Sequence, residues 1–404
     1  MSHSNAVRLE HPALAPTRLA GQTLANRLAV APMTRVSASP AGVPTPAMVD
    51  YYARFARGGF GLVITEGTYT DETFSQGYLH QPGLASPAQV SAWTEVTAKV
   101  HAEGARIVAQ LMHAGALSQG NPHRDGTVGP SAIRPRGEMM PEYRGSGLWP
   151  VPAAMTAYDI DEAVEGFVDA AAHARAAGFD GIEVHAANGY LLDQFLTTYT
   201  NHRDDEYGGS VANRVRLTAR IVTAIRVALG PDFWVGVRLS QTKVNDFEYR
   251  WPGGSADARV IFAALGEAGA TYLHVASEGR NWIETARLDS DGDGDGNGAG
   301  PGGTITALAR EVSGLPVIAN GGMHDPEQAA QVLAGGHADM LALARGALAN
   351  PDFPQRLAAG ERLRAFDHSM LTPMATLENA ERWRRAVDLP SSDTAAAGSE
   401  EART

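Results

Sequence analysis

Eight short runs rich in Val, Ile, Leu and Ala, each handing over to a helical or loop segment, constrain this chain more than any other feature. The runs are Leu28–Met33, Gly61–Glu66, Arg106–Met112, Gly181–His185, Trp234–Leu239, Tyr272–Ala276, Pro316–Asn320 and Met340–Ala344. They are apolar nearly throughout rather than alternating, the pattern of strands covered on both faces. Helical spacing fills the intervals at Gln89–Ala102, Ile160–Ala177, Asn213–Leu229, Asp257–Ala268, Ile305–Val312 and Pro326–Ala334. Ser86-Pro87 and Asp159 supply helix-start signals, and Ile160, Val164, Phe167, Val168 and Ala171 share one helical face. Strands separated by helices make a parallel sheet. Eight such units in 404 residues predict an α/β fold, a (β/α)₈ TIM barrel, with an open doubly wound sheet as the alternative.

Three segments fall outside the repeat. Residues 1–27 precede the first strand and are expected to close the barrel's bottom. Residues 114–158, after the third strand, are rich in Gly, Pro, Arg and Met. So long a connection predicts a lid or small subdomain over the active face. Residues 289–303 are almost all Asp and Gly and read as a flexible exposed loop. The barrel is expected to span 28–365, with 366–404 as a C-terminal extension whose Ser-, Ala- and Glu-rich end, from about Leu389, is disordered.

The composition excludes several function classes. A net charge of −12 leaves no basic surplus for phosphate backbones, so no nucleic-acid partner is expected. With no Cys, there are no disulfides, thiolate nucleophiles or thiolate metal sites. No uncharged apolar run is long enough to span a bilayer, and the first residues carry no apolar signal core, so no membrane association and a cytoplasmic location are expected.

In such a barrel the chemistry lies at the C-terminal strand ends. After the fourth strand comes Val-His-Ala-Ala-Asn-Gly-Tyr, which places His185, Asn188 and Tyr190 just beyond a strand end. Two hydrogen-bond donors at a spacing of three, followed by a phenol, suit the polarising of a carbonyl and the delivery of a proton nearby. Each alone has a plainer reading: a satisfied strand-end His, a core or rim Tyr. Gly321-Gly322 after the seventh strand and Ala344-Arg345 after the eighth suit a phosphate, the usual place for one in these barrels. One phosphate without a separate dinucleotide fold points to FMN rather than FAD.

The run from Val184 to Arg214 resembles the signature of the Old Yellow Enzyme family, flavin-dependent reductases of activated alkenes. The resemblance extends over about residues 15–360, through Ala-Pro-Met-Thr-Arg at 31–35, Val-Gly-Val-Arg-Leu-Ser at 235–240 and Asn-Pro-Asp at 350–352. It implies a tightly bound FMN, reduced by NADPH or NADH, held by Pro32, Met33, Thr34, Gly67, Gln110, Arg238, Gly321, Gly322, Ala344 and Arg345. Thr34 would bond the flavin C4 carbonyl, Gln110 the pyrimidine edge, and Arg238 would face N1 and the C2 oxygen. It implies that His185 and Asn188 bind the carbonyl oxygen of an α,β-unsaturated or nitro substrate, with Tyr78 as a further substrate contact, and that Tyr190 is the proton donor. A monomer or homodimer acting on small activated alkenes is expected. Met112 replaces a frequent Trp, Ala344 a frequent Gly, and the family's C-terminal pocket Tyr is not evident in Glu378–Asp388.

Two rival functions remain open at this point. A flavin-free aldolase or isomerase would need a pocket Lys, and Lys243 is the candidate. A non-catalytic flavin-binding protein would not need His, Asn and Tyr together. Gly298-x-Gly300-x-x-Gly303 fits a dinucleotide motif but lacks a preceding strand. Asp291-Gly-Asp-Gly-Asp-Gly opens like a calcium loop but has Gly302 at position twelve, where a bidentate Glu belongs.

Overall fold

The eight apolar runs close on themselves. In the computed structural model, which describes residues 11–276 and 303–388, they form strands β1 (Leu28–Val30), β2 (Leu62–Ile64), β3 (Arg106–Met112), β4 (Gly181–Asn188), β5 (Trp234–Lys243), β6 (Tyr272–Ala276), β7 (Val317–Asn320) and β8 (Met340–Leu343). Every neighbouring pair is parallel, and β8 returns to β1 through Leu341–Leu28 and Leu343–Val30. A closed parallel ring with helices outside is the (β/α)₈ barrel; the open sheet is excluded.

The helices are α1 (Pro46–Arg57), α2 (Pro87–Ala102), α3 (Ala157–Ala176), α4 (Leu191–Leu196), α5 (Val211–Leu229), α6 (Gly254–Glu267), α7 (Ile305–Ser313), α8 (Pro326–Ala334), α9 (Arg345–Ala349), α10 (Phe353–Ala359) and α11 (Leu377–Asp388). Local chemistry sets their starts. Ser86 and Thr156 form capping boxes on α2 and α3, while Ser210, Thr304 and Asp325 accept first-turn amides of α5, α7 and α8.

Alternation along each strand sorts the apolar residues into two cores. Val30, Val63, Ile107, Val184, Val237, Val275 and Leu343 face outward, into one cluster with the helices. Ala29, Leu62, Val108, Trp234, Tyr272, Ile318 and Met340 fill the barrel interior. Leu19 and Leu24, from a hairpin of Thr17–Leu19 and Gln22–Leu24, join that inner cluster. The interior is a jigsaw of large and small residues. A Cβ at Gly236 would lie 2.0 Å from the Tyr272 ring, so only glycine on β5 leaves room for that aromatic.

Several strand limits differ from the sequence expectation. β1 stops at Val30 and leaves Pro32–Arg35 as non-strand backbone at the barrel mouth. β4 runs on to Asn188 and β5 to Lys243, so His185 and Asn188 lie within a strand rather than after it. Polar side chains hid this extension, because an apolar run marks only where a strand is covered on both faces. Segments 289–302 and 389–404 lie outside the described residues.

The connection after β3 carries two-residue strands, Val128–Gly129 paired with Ala153–Ala154, and the buried Trp149. Met139, Met140 and Tyr143 from this connection cluster with Tyr78, Met112 and Tyr190 at the barrel mouth. The Ala375 amide, in the segment before α11, donates to the Glu142 carbonyl at 3.1 Å. Two excursions thus meet over the C-terminal face. No helix among the described residues is long and apolar enough to cross a membrane.

Candidate active site

Upward through the barrel, the interior changes from apolar to polar. Glu183 on β4 is fully buried and accepts hydrogen bonds from Gln110 Nε2 (2.9 Å), Tyr272 Oη (3.2 Å) and His274 Nδ1 (2.9 Å). The other ring nitrogen of His274, Nε2, lies 2.7 Å from Arg238 Nη1, and Arg238 Nη2 donates to Asn320 Oδ1 at 3.0 Å. Burial pushes the Glu183 carboxyl up, but His274, Arg238 and Gln110 outweigh it and hold it below the ordinary carboxylate value. Burial and the Arg238 charge both push His274 down, so a neutral imidazole bridges carboxylate to guanidinium. A positive charge at the mouth is thereby fixed in place from below.

Above this network lies a cleft of about 520 Å³. Its walls include Pro32, Met33, Thr34, Gly67, Gln110, Arg238, Ala344 and Arg345, together with His185, Asn188 and Tyr190. A neighbouring cavity of about 200 Å³ shares Pro32, Asn188, Arg238, Ala344 and Arg345 and adds Gly321 and Gly322. Both glycines have positive φ, +130° and +67°, a backbone conformation that side-chain-bearing residues rarely adopt. Gly67 packs closely on the cleft floor: a Cβ there would come within 2.6 Å of Met112 Sδ, which would have to shift.

Tyr78 does not line either cavity. It is fully buried behind Tyr190, and their hydroxyls are hydrogen-bonded. Burial, then the neighbouring Tyr190, pushes the Tyr78 phenol well above its ordinary value, so it remains protonated. Its contact with anything in the cleft runs through Tyr190.

The three polar groups named from the fourth strand end converge. The His185 and Tyr190 rings lie 5.0 Å apart. Burial, then Arg238 and His274, pushes His185 well below the ordinary histidine value; it is a neutral donor, not a cation. Asn188 has φ +62°, and its amide donates to Ser240 Oγ at 2.8 Å. His185 Nδ1 and Asn188 Oδ1 are buried and have no hydrogen-bond partner. Of the two, only the ring nitrogen can donate; an amide oxygen accepts, so the donor that Asn188 can offer is its side-chain NH2.

Sequence reasoning missed part of the lining. Arg35, Met140, Glu142, Tyr143, Val244, Phe247, Leu348, His368, Leu371 and Ala375 also face the cleft. Most come from irregular segments, where no period reveals direction. Tyr143 packs at a tilt against Tyr78, ring centroids 4.9 Å apart, and brings an aromatic from the connection after β3. His368, Leu371 and Ala375 form the wall that the C-terminal segment contributes. Glu183 and His274 were legible in principle, as ionisable residues inside otherwise apolar strands. Lys243 does not line the cleft. Its Nζ is buried 2.6 Å from Asp193 Oδ1, which removes the Schiff-base candidate.

The donor set fits a flavin mononucleotide. Gln110 and Arg238 offer an amide and a fixed cation in one cleft, Thr34 a hydroxyl, and Gly321, Gly322 and Arg345 glycine backbone and a cation in the adjoining cavity.

Comparison with known proteins agrees with this geometry. Residues 14–364 match the profile of the NADH:flavin oxidoreductase / NADH oxidase family. A probable flavin mononucleotide-dependent alkene reductase of Leishmania infantum is 35% identical over 88% of this chain and 92% of its own. Putative 12-oxophytodienoate reductase 4 of Oryza sativa subsp. japonica is 34% identical over 90% of each. Among solved structures, the old yellow enzyme homologue of Zymomonas mobilis superposes with a TM-score of 0.79 at 30% identity, covering 91% of this chain and 99% of that one. Morphinone reductase gives 0.77 at 32% identity, covering 92% and 97%.

Proposed function

Because the chain belongs to the NADH:flavin oxidoreductase / NADH oxidase family and is an oxidoreductase of the Old Yellow Enzyme type, we propose that it is an FMN-dependent ene reductase. It uses NADH or NADPH to reduce the C=C bond of α,β-unsaturated carbonyl or nitro compounds. The observation that carries this reading is the convergence of His185, whose ring Nδ1 has no partner, with Asn188 and Tyr190 on one cleft that also holds Arg238.

Bound and reduced by a nicotinamide, FMN supplies a hydride to the substrate's β-carbon. The chain's own residues do the rest. His185 and Asn188 hold the carbonyl oxygen and stabilise the negative charge that builds on it as the alkene electrons shift. Neutrality of His185 matters here, since a neutral donor binds the oxygen without surrendering a proton to it. Tyr190 gives its hydroxyl proton to the α-carbon, and Tyr78 holds that hydroxyl in place. Arg238 would stand against the flavin's pyrimidine edge and favour the anionic reduced form. Nicotinamide and alkene use the same cleft in turn.

The test is spectroscopic. Purified protein is expected to be yellow, to release FMN on heating at about one per chain, to bleach with anaerobic NADH or NADPH, and to recover colour on addition of an enone. Release of FAD, or no flavin uptake from FMN, refutes the cofactor; bleaching without recovery refutes the alkene.

A further inference from the structure

Outside the cleft, one charged pair is buried more deeply than any surface contact requires. Lys243 and Asp193 have 1% and 0% of their side chains exposed, and their atoms meet at 2.6 Å. Two ions withdrawn from water seldom add net stability, and such pairs are best explained by what they hold in register. The surrounding bonds show what is held. Asp193 Oδ2 accepts the Gly189 amide at 2.7 Å. Lys243 sits opposite Asn188 where the β4–β5 register shifts, and the next residue, Val244, donates its amide to the Asn188 carbonyl at 3.2 Å. Ser240 Oγ, which takes the Asn188 amide, donates to the Thr242 carbonyl at 2.6 Å.

The turn so enclosed has an uncommon backbone. Asn188 and Gly189 have consecutive left-handed φ values of +62° and +88°. Asn enters that region more readily than other side-chain-bearing residues, at a modest cost that the surrounding bonds offset. Tyr190 then caps α4, one turn of which carries Asp193 back beneath Gly189. We propose that the Lys243–Asp193 pair is a positioning device that locks the Asn188–Gly189–Tyr190 turn, setting the reach of the carbonyl clamp and the proton donor together. The inference rests on the roles given to Asn188 and Tyr190 above. Lys243 acts through Asp193 and the Gly189 amide and touches no substrate. Its Nζ also lies 4.6 Å from the Tyr249 ring, whose hydroxyl accepts the Thr198 amide, so the far end of α4 is tied to the same point.

The experiment is Lys243→Met in the FMN-loaded enzyme, read by amide hydrogen exchange and by binding of 4-chlorophenol, whose oxyanion imitates the enolate. Asp193 loses its partner, and its bond to Gly189 weakens. Exchange at Gly189 is expected to rise on the order of tenfold or more, the worth of a charge-assisted hydrogen bond. Amides low in the barrel, such as Ile182, keep their protection. Phenol affinity falls by about the same factor while flavin content is retained. Unchanged exchange in the turn overturns the proposal. So does a uniform rise across the barrel with native phenol affinity, the mark of a merely stabilising pair. If Lys243→Met does not fold, the double variant Lys243→Met with Asp193→Leu, which leaves no buried charge unpaired and removes the Gly189 acceptor, decides by the same readouts. If the unaltered enzyme binds no phenol, the ene-reductase reading fails, and the exchange result alone decides the role of the pair.

Discussion

At the scale of single residues, protonation state divides the labour in the cleft. Tyr190→Phe removes one hydroxyl and leaves the ring that packs on His185. Flavin reduction by NADH or NADPH is expected to stay near the unaltered rate, while enone turnover drops by roughly 10²–10⁴, the usual range for a general acid. Stopped-flow measurement of each half-reaction checks this, and equal slowing of both would make Tyr190 structural. Replacing His185 and Asn188 together by Ala removes both donors to the oxygen, and each is typically worth on the order of 10²–10³ in rate. Enone turnover and phenol binding should both collapse in a variant that remains yellow. Glu66 gives a pH-dependent prediction. It is buried at the end of β2, where it accepts the Arg35 amide and the Tyr52 hydroxyl. Burial, against those bonds and the Arg35 charge, raises its carboxyl to about 7. The folded protein therefore holds a proton that the unfolded chain has already lost. The resulting stability is fully present below about pH 4.5, the unfolded value, and is lost as pH rises through about 7, on the order of 3 kcal/mol at most. Chemical denaturation across that window should show the decline, and Glu66→Gln should flatten it.

At the scale of elements, the network through Glu183 ties five strands, β3 to β7, together at the mouth. Glu183→Ala leaves His274, Gln110 and Tyr272 without their shared acceptor. A cost of about 3–5 kcal/mol in urea unfolding is expected, because three buried donors lose their acceptor at about 1–3 kcal/mol each. The same network shows how far the sequence could be read. Strand positions were legible because two-sided burial leaves a continuous apolar run, and the strand-end groups were legible because the fold assigns chemistry to one end. Two things were not. The extension of β4 and β5 ends in Asn188 and Lys243, whose polarity breaks the apolar signal although the strands pair again there after a shift of register. The direction of Tyr78, behind the cleft and not into it, depends on a loop conformation that no periodicity encodes.

At the scale of the whole molecule, the cleft is completed by segments far from the barrel repeat. The Arg35 guanidinium, fully buried, donates to the Thr376 carbonyl, and the Leu377 amide donates to Ser37 Oγ. The first strand's exit and the last helix's entry are thus stitched together beside the site. Removal of residues 367–404 should expose Arg35, take away His368, Leu371 and Ala375, and widen the cleft. Enone KM is expected to rise about tenfold or more, with FMN retained, because the groups lost form an apolar wall and not the donors named for the flavin. Steady-state kinetics with equal flavin content checks this; loss of flavin along with affinity would show the segment to be part of the cofactor's cradle. Closure of the barrel has a consequence for the protein's birth. The ring is sealed where residues 28–30 meet residues 341–343, so the first strand waits for nearly the whole chain to be synthesised. Until then the growing sheet carries two unpaired borders, each able to accept a strand from another molecule. The completed ring has no such border, so self-association through the sheet is a hazard of the nascent chain and not of the finished enzyme.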